Sequence, residues 1–299
     1  MKKILCICLS STLQRTINFE NLTLTEVNRS KSYRQDASGK AVNSARVINQ
    51  LEEGCALTIC PVGKNNQQLF IELAQRDNLP VETVTIPGFT RECWTLLDRA
   101  AGTTTELVVG EPVIERNMEI ENAEVKLLKL ISDAFEKVDG VLLAGSRPGI
   151  WSNDLYAAIA GMAKDAGKIF LADYIGADMT ATLKATTPDI IKINDEEFIK
   201  TFGKTDDLKA AITAKSAELH NIIIVTRGVD STYAAKNGEF TECPTEKVVA
   251  VNTTACGDSF NAGFLYEYLN SGDFNAALKK GTWCAARNAE LECPGAIRK

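Results

Sequence analysis

The sequence contains only one histidine, His220, among its 299 residues. A single histidine excludes multi-histidine zinc sites and leaves Ser-His-Asp chemistry with only one candidate base. The nine cysteines are odd in number and include no C-x-x-C pair, which argues against both a disulfide framework and a zinc ribbon. We therefore exclude most metallohydrolase classes and expect a cytosolic protein with reduced thiols.

The sequence also lacks an apolar run that approaches the roughly 20 residues of a membrane helix. The run Ile4–Leu9 is too short for a secretory signal and favours a buried first strand. An excess of positive charge is missing as well, because 33 basic residues face 39 acidic ones for a net charge of −6. We therefore expect a soluble protein that binds neither nucleic acid nor membranes.

Short apolar runs alternate with amphipathic segments along most of the chain. Asn153–Ala166 carries apolar residues at helical spacing, and Gly167 follows it where a helix would end. Because parallel strands need crossover connections, this alternation predicts an α/β fold with a mainly parallel sheet and helices on both faces. The predicted strands are Ile4–Leu9, Ala56–Val62, Val138–Ala144, Ile169–Asp173, Ile190–Ile193 and Ile222–Thr226, followed by a hairpin at Asn237-Gly238.

Two segments, Thr16–Arg34 and Arg91–Val109, break the alternation. They contain β-favouring residues in short runs and no helical period. We interpret them as strands of a small inserted sheet that covers a site at the carboxyl ends of the main strands. This predicted lid spans residues 10–36 and 88–112 of a single domain that covers residues 1–299.

The segment Val251–Leu265 carries the most specific chemical pattern. Small residues precede a helix whose first turn contains Asp258. Unpaired amides at a helix N-terminus attract anions, and such amides could hold a transferring phosphoryl group while Asp258 accepts a proton from an attacking hydroxyl. An ordinary capped helix explains the same spacing equally well.

Two further loops place polar residues at helix starts. Asp36–Arg46 combines small residues with a lysine and could contact a hydroxylated or phosphorylated ligand. In Lys192–Glu197, Asn194 and Glu197 lie three residues apart and could orient magnesium-bound water. Taken alone, the second cluster is more typical of an acidic helix start.

Taken together and in this order, these residues resemble the ribokinase-like (PfkB) carbohydrate kinases. The resemblance is greatest to the branch that phosphorylates ketohexose phosphates, such as 1-phosphofructokinase and tagatose-6-phosphate kinase. The G-A-G-D signature of that family corresponds to Ala255-Cys256-Gly257-Asp258, and its N-x-x-E motif to Asn194 and Glu197. The resemblance runs nearly end to end and implies a three-layer ribokinase-like fold. Further matches are Glu26-Val27-Asn28-Arg29, Thr90-Arg91, Thr105-Glu106 and Thr226-x-Gly228.

The resemblance also implies a role for each matching residue. Asp258 would be the catalytic base, and the amides of Ala255, Cys256 and Gly257 would form an anion hole. ATP and Mg²⁺ would be the cofactors, with Glu197 and Asn194 at the metal. The nucleotide side would comprise Lys192, Asn194, Thr226, Gly228 and Asn288. The acceptor side would comprise Gln14, Ser38, Gly39, Lys40, Asn43 and Glu106, with Arg29 and Arg91 of the lid holding the acceptor's phosphate.

The sequence departs from the family pattern mostly on the acceptor side. Where the branch reads N-P-x-x-D, the chain has a neutral Gln14 in place of an aspartate that accepts from sugar hydroxyls. Where G-G-K-G is usual, Ser38 and Ala41 add side-chain bulk. Ala255 would be strained if its backbone requires a positive φ. We expect a changed acceptor pocket.

The leading hypothesis is an ATP- and Mg²⁺-dependent kinase of a sugar phosphate of the fructose 1-phosphate or tagatose 6-phosphate type. Two alternatives stay open. One is a weakly catalytic or non-catalytic protein with the kinase fold that binds sugar phosphate or nucleotide, and the other is a kinase of an unphosphorylated sugar or nucleoside. The resemblance also implies a homodimer, because inserted lid sheets of this family often pair between two subunits and exposed strand edges are templates for such pairing.

Overall fold

Strands and helices alternate along the chain as the apolar runs predict. The structure is a computed structural model that describes residues 2–111 and 113–298. Pro112 of the predicted lid and the terminal residues 1 and 299 of the predicted domain lie outside the described residues.

The strands are β1 (Ile4–Ile7), β2 (Thr12–Phe19), β3 (Tyr33–Ser38), β4 (Ala56–Gly63), β5 (Val81–Ile86), β6 (Arg91–Asp98), β7 (Thr103–Val108), β8 (Gly140–Ala144), β9 (Ile169–Asp173), β10 (Ile190–Asn194), β11 (Ile222–Thr226), β12 (Thr232–Lys236) and β13 (Glu239–Cys243). The helices are α1 (Lys40–Leu51), α2 (Gln67–Arg76), α3 (Met118–Phe135), α4 (Leu155–Asp165), α5 (Gly176–Ala185), α6 (Asp195–Phe202), α7 (Leu208–Leu219), α8 (Cys256–Ser271) and α9 (Phe274–Ala289).

The main sheet has nine strands in the order β13-β12-β11-β10-β9-β8-β1-β4-β5. All pairs from β11 to β5 are parallel, and the β12–β13 hairpin adds two antiparallel strands at one edge. The predicted α/β class and mainly parallel sheet are therefore confirmed. The chain reverses direction across the sheet between β1 and β8, which is where sheets of this kind open a crevice for ligands.

Alternate residues of each central strand face opposite helical layers. In β1, Ile4 and Cys6 pack with α1, α2, α8 and α9, whereas Leu5 and Ile7 pack with α3 to α7. Burial on both faces explains why the central strands read as continuous apolar runs. The result is the three-layer arrangement that the sequence predicts. No helix of the described residues is long and apolar enough to cross a bilayer.

The two exceptional segments form a separate four-stranded sheet in the order β3-β2-β6-β7. Its central pair, β2 and β6, is parallel with Thr12 opposite Arg91, and its outer pairs are antiparallel. Residues 20–32, which we expected to include strand, are instead a loop. There the Asn28 side chain bonds the backbone N–H and C=O of Thr23, so a local side-chain contact replaces ladder hydrogen bonds.

Candidate active site

A cavity of about 460 Å³ lies where the carboxyl ends of the main strands meet the small sheet. It contains most of the residues that the sequence singles out, although they come from distant parts of the chain. Those lining it are Gln14, Ser38, Gly39, Lys40, Asn43, Arg91, Glu106, Lys192, Asn194, Glu197, Thr226, Ala255, Cys256, Gly257 and Asp258.

Three predicted site residues do not line this cavity. Arg29 is exposed in the loop between β2 and β3, and Gly228 lies in the turn after β11. Asn288 is fully buried on α9, where its amide donates to the Thr254 carbonyl at 2.8 Å and accepts from the Gly295 amide at 2.7 Å. Asn288 therefore supports the loop before α8 from behind.

The N-terminal end of α8 presents backbone donors to the cavity. Ala255 has φ 67° and ψ 13°, a left-handed conformation that costs a residue with a side chain about 1–2 kcal/mol. The Cys256 amide donates to the Thr253 carbonyl at 3.3 Å, and the amides of Ala255 and Gly257 donate to no group among residues 2–111 and 113–298. Two donors at the positive end of the α8 dipole are thus available to an anion.

Lys192 adds a positive charge beside this loop. It lies in the middle of β10 and is only 4% exposed. A Cβ atom at Gly257 would lie 2.8 Å from the Lys192 ammonium nitrogen, so the missing side chain of this glycine lets the ammonium group approach the loop.

Asp258 lies in the first turn of α8 and is 6% exposed. Its Oδ2 accepts a hydrogen bond from the Asn43 side-chain amide at 2.9 Å. Burial raises the pKa of Asp258 to about 6, although Lys40 and the Asn43 hydrogen bond both oppose this rise. At neutral pH the carboxylate is therefore mostly ionised, yet it is a stronger base than an ordinary aspartate.

Asp173 is a central residue that we did not identify from the sequence. It ends β9, is 1% exposed, and accepts from Lys40 at 2.9 Å and from Asn261 at 2.6 Å, with Lys192 at 3.4 Å. Burial alone would raise the pKa of Asp173, but the ammonium groups of Lys192 and Lys40 outweigh it and hold this pKa below its usual value. The sequence does contain a pattern that points to Asp173, because this ionisable residue is the last of an apolar run that ends at the ligand-binding edge of the sheet.

Asn194 and Glu197 form a capping box at the start of α6. The Asn194 side-chain oxygen Oδ1 accepts from the backbone N–H of Glu197 at 2.7 Å, and Glu197 Oε2 accepts from the backbone N–H of Asn194 at 2.9 Å. The second carboxylate oxygen, Oε1, lies 3.6 Å from the Lys40 ammonium nitrogen. No group of three or more His, Cys, Asp or Glu side chains in the described parts of the chain could hold a metal ion by itself. Mg²⁺ commonly takes one or two carboxylates together with phosphates and water, so Glu197 fits a site that a nucleotide completes.

Gly39 joins the small sheet to α1 in a conformation that requires glycine. Its φ is 131°, and a Cβ atom would lie 2.5 Å from the Cys8 sulfur. The chain therefore turns directly from Ser38 into the helix that carries Lys40 and Asn43.

The small sheet forms one wall of the cavity. The buried Gln14 amide donates to Thr95 Oγ1 at 2.8 Å. Glu106 accepts from Thr254 Oγ1 at 2.6 Å. The small sheet thus contacts the loop before α8 directly.

Arg91 lies between the main cavity and a neighbouring one of about 340 Å³. Its Nε donates to Thr12 Oγ1 at 3.0 Å and lies 3.2 Å from a carboxylate oxygen of Glu111. The second cavity also contains Ser146 and Arg147, which we did not identify from the sequence. Two arginines, Arg91 and Arg147, thus line this second cavity.

Comparison with known proteins identifies the family. The sequence matches the pfkB family of carbohydrate kinases over residues 1–297. A Thermotoga maritima protein described as a possible 1-phosphofructokinase has a TM-score of 0.86 at 18% identity, covering 97% of this chain and 92% of that chain.

Two structures of phosphofructokinase-2 from Escherichia coli are also similar. The complex with fructose-6-phosphate has a TM-score of 0.82 at 17% identity, covering 97% of this chain and 94% of that chain. The tetrameric inhibited form has a TM-score of 0.83 at 18% identity, covering 99% of this chain and 96% of that chain. These structural similarities confirm the predicted ribokinase-like fold. Together with the match over residues 1–297, they show that the chain belongs to the pfkB family of carbohydrate kinases.

Proposed function

We propose that this carbohydrate kinase transfers the γ-phosphoryl group of ATP to a hydroxyl group of a sugar phosphate. The observation that carries the proposal is a buried carboxylate beside two free backbone amides in one cavity. Asp258 supplies the carboxylate, and Ala255 and Gly257 supply the amides. A proton acceptor next to an anion-binding loop is what transfer of a phosphoryl group to an alcohol requires.

In the proposed reaction, the Asp258 carboxylate accepts the proton of the acceptor hydroxyl. The hydroxyl oxygen forms a bond to the γ-phosphorus, the bond from that phosphorus to the bridging oxygen breaks, and ADP leaves with the bridging oxygen. The amides of Ala255 and Gly257 and the Lys192 ammonium group stabilise the negative charge of the transferring group. Fixed donors in a partly desolvated site are the most effective form of such stabilisation.

Glu197 and Asn194 are the residues that we propose to lie at a magnesium ion. The ion would neutralise charge on the ATP phosphates. Lys40 lies between Glu197 and Asp173, which both attract its ammonium group, and we propose that it orients the phosphate chain toward Asp258.

A phosphorylated acceptor of the fructose 1-phosphate or tagatose 6-phosphate type is the first candidate. Arg91 and Arg147 beyond the acceptor site support it, since arginine suits phosphate oxygens. An unphosphorylated sugar is the second candidate, because the carboxylate of Glu111 already pairs with Arg91. A coupled assay of ADP release across a panel of sugars and sugar phosphates separates the two. Saturable binding of a panel member without ADP release would contradict both and indicate a binding protein.

Arg91→Gln tests the acceptor's charge. If Arg91 holds a phosphate, the variant should raise KM for the phosphorylated acceptor at least tenfold, because a charge-assisted contact worth about 1.5–3 kcal/mol is lost. KM for ATP should stay unchanged. Arg15→Gln is the matched control, since Arg15 lies on the same small sheet, pairs with Glu92 and does not line the cavity. An equal rise of KM in both variants would contradict the role of Arg91.

We also propose that the small sheet pairs with that of a second copy. Its edge strands and their flanks expose apolar side chains, with Tyr33 64%, Leu107 48% and Val109 53% accessible. Exposed apolar edges of this kind favour pairing. Sedimentation at micromolar concentration should show a dimer, and a monomer alone would contradict the proposal.

A further inference from the structure

Arg46 is a buried arginine on α1 that does not line the cavity and is only 3% exposed. Its Nε donates to Asp77 Oδ2 at 3.1 Å, and its Nη1 donates to Asn43 Oδ1 at 3.2 Å and to the Pro294 carbonyl at 3.1 Å. Its Nη2 donates to the Ala37 carbonyl. The guanidinium is thus held rigidly from four sides.

Asn43 connects this guanidinium to Asp258. Its Oδ1 accepts from Arg46 and from the Ser38 hydroxyl at 2.8 Å, while its Nδ2 donates to Asp258 Oδ2 at 2.9 Å. A hydroxyl can either donate or accept, but a guanidinium can only donate. Arg46 therefore keeps the Asn43 amide nitrogen toward Asp258 even when that carboxyl group is protonated, whereas Ser38 by itself does not.

We propose that Arg46 is a positioning residue for phosphoryl transfer, which holds the Asn43 amide nitrogen toward the Asp258 carboxylate. This inference rests on the proposed role of Asp258 as the base. Without Arg46, the amide could rotate and offer its oxygen to a protonated Asp258. The protonated, inactive form would then gain a hydrogen bond that it lacks in the native protein.

Arg46→Met tests the proposal through the pH dependence of kcat/KM. Lys40 of α1, Asp173 of β9 and Lys192 of β10 are the charged groups that face Asp258, and the substitutions leave all three in place. The native enzyme should lose activity below an apparent pKa near that of Asp258, which is about 6. In the variant, stabilisation of the protonated form should raise this apparent pKa by roughly one unit. That shift corresponds to about a fivefold loss at pH 6 and little loss at pH 8. Arg46→Lys, whose side chain is also donor-only, should retain the native profile.

Arg76→Met is the matched control. Arg76 pairs with the same Asp77 carboxylate at 3.0 Å and makes no contact with Asn43. The Arg76→Met substitution should leave the pH dependence of kcat/KM unchanged. An unshifted profile in Arg46→Met, or an equal shift in Arg76→Met, would overturn the proposal.

Direct titration of Asp258 by ¹³C NMR of the aspartate carboxyl groups separates this inference from the proposed function. The upward shift should appear in Arg46→Met and disappear when Asn43→Ala is already present. A shift that persists without Asn43 would show a through-space charge effect and refute positioning.

If Arg46→Met does not fold, Arg46→Gln replaces it, because the glutamine amide can accept as well as donate. A native protein that releases no ADP but shows the shift would refute the function and support the positioning.

Discussion

Asp258→Asn should lower kcat about a thousandfold while KM for ATP changes less than twofold. General-base catalysis typically contributes factors of 10² to 10⁴, and an asparagine cannot accept the proton of the acceptor hydroxyl. The carboxylate accepts from Asn43 and contacts no residue of the proposed metal site, so nucleotide binding should survive. Steady-state kinetics with the preferred acceptor measure both constants.

The same substitution should stabilise the fold at alkaline pH. Because burial raises the pKa of Asp258 to about 6, its ionisation removes stability as the pH rises from its unfolded-state value of about 4 through 6. The variant avoids this cost and should be about 3 kcal/mol more stable than the native protein at pH 8, with no gain at pH 4. Asp98→Asn is the control, since Asp98 is a buried aspartate of the small sheet outside the cavity.

Near-normal kcat in Asp258→Asn would contradict the proposed role of Asp258 as the catalytic base.

Asp173→Asn should reduce the free energy of unfolding at pH 7 by about 3–5 kcal/mol, as urea unfolding would show. The reason is that removal of one member of a buried ionic cluster leaves the remaining charges unpaired. Lys40 and Lys192 would then lie near each other without their shared carboxylate. Because the folded-state pKa of Asp173 is lowered, its contribution is present above the unfolded value near 4 and is lost as the pH falls. The deficit should therefore shrink in acid.

Asp178→Asn is the comparison for this experiment. Asp178 pairs with Arg147 but is 18% exposed, so solvent screens the pair and the loss should be about 1 kcal/mol. Equal losses in Asp173→Asn and Asp178→Asn would contradict a special role for the Lys40–Asp173–Lys192 cluster.

Features that depend on residues close together along the chain could be predicted from the sequence. The six central strands lie where apolar runs predicted them, because strands buried on both faces need continuous apolar sequence. The small residues before Asp258 predicted a helix start, and α8 begins at Cys256. The spacing of Asn194 and Glu197 likewise predicted a helix start, and their capping box is local.

Features that depend on long-range packing could not be predicted in this way. Lys40 and Asp173 are 133 residues apart, and no local pattern indicates that they pair. Asn288 lies near the site but points into the protein, because the fold uses its amide to hold the loop before α8. The parallel pairing of β2 with β6 likewise results from how the two segments of the small sheet meet.

The central claim is that the Asp258 carboxylate and the amides of Ala255 and Gly257 act together in one phosphoryl transfer. A crystal structure with ADP, aluminium fluoride and the preferred acceptor tests it most directly. We expect the fluoride ligands to accept hydrogen bonds from Ala255 and Gly257, and the acceptor hydroxyl to lie within about 3.2 Å of the Asp258 carboxylate. A nucleotide bound elsewhere, or an acceptor hydroxyl out of reach of Asp258, would contradict the account.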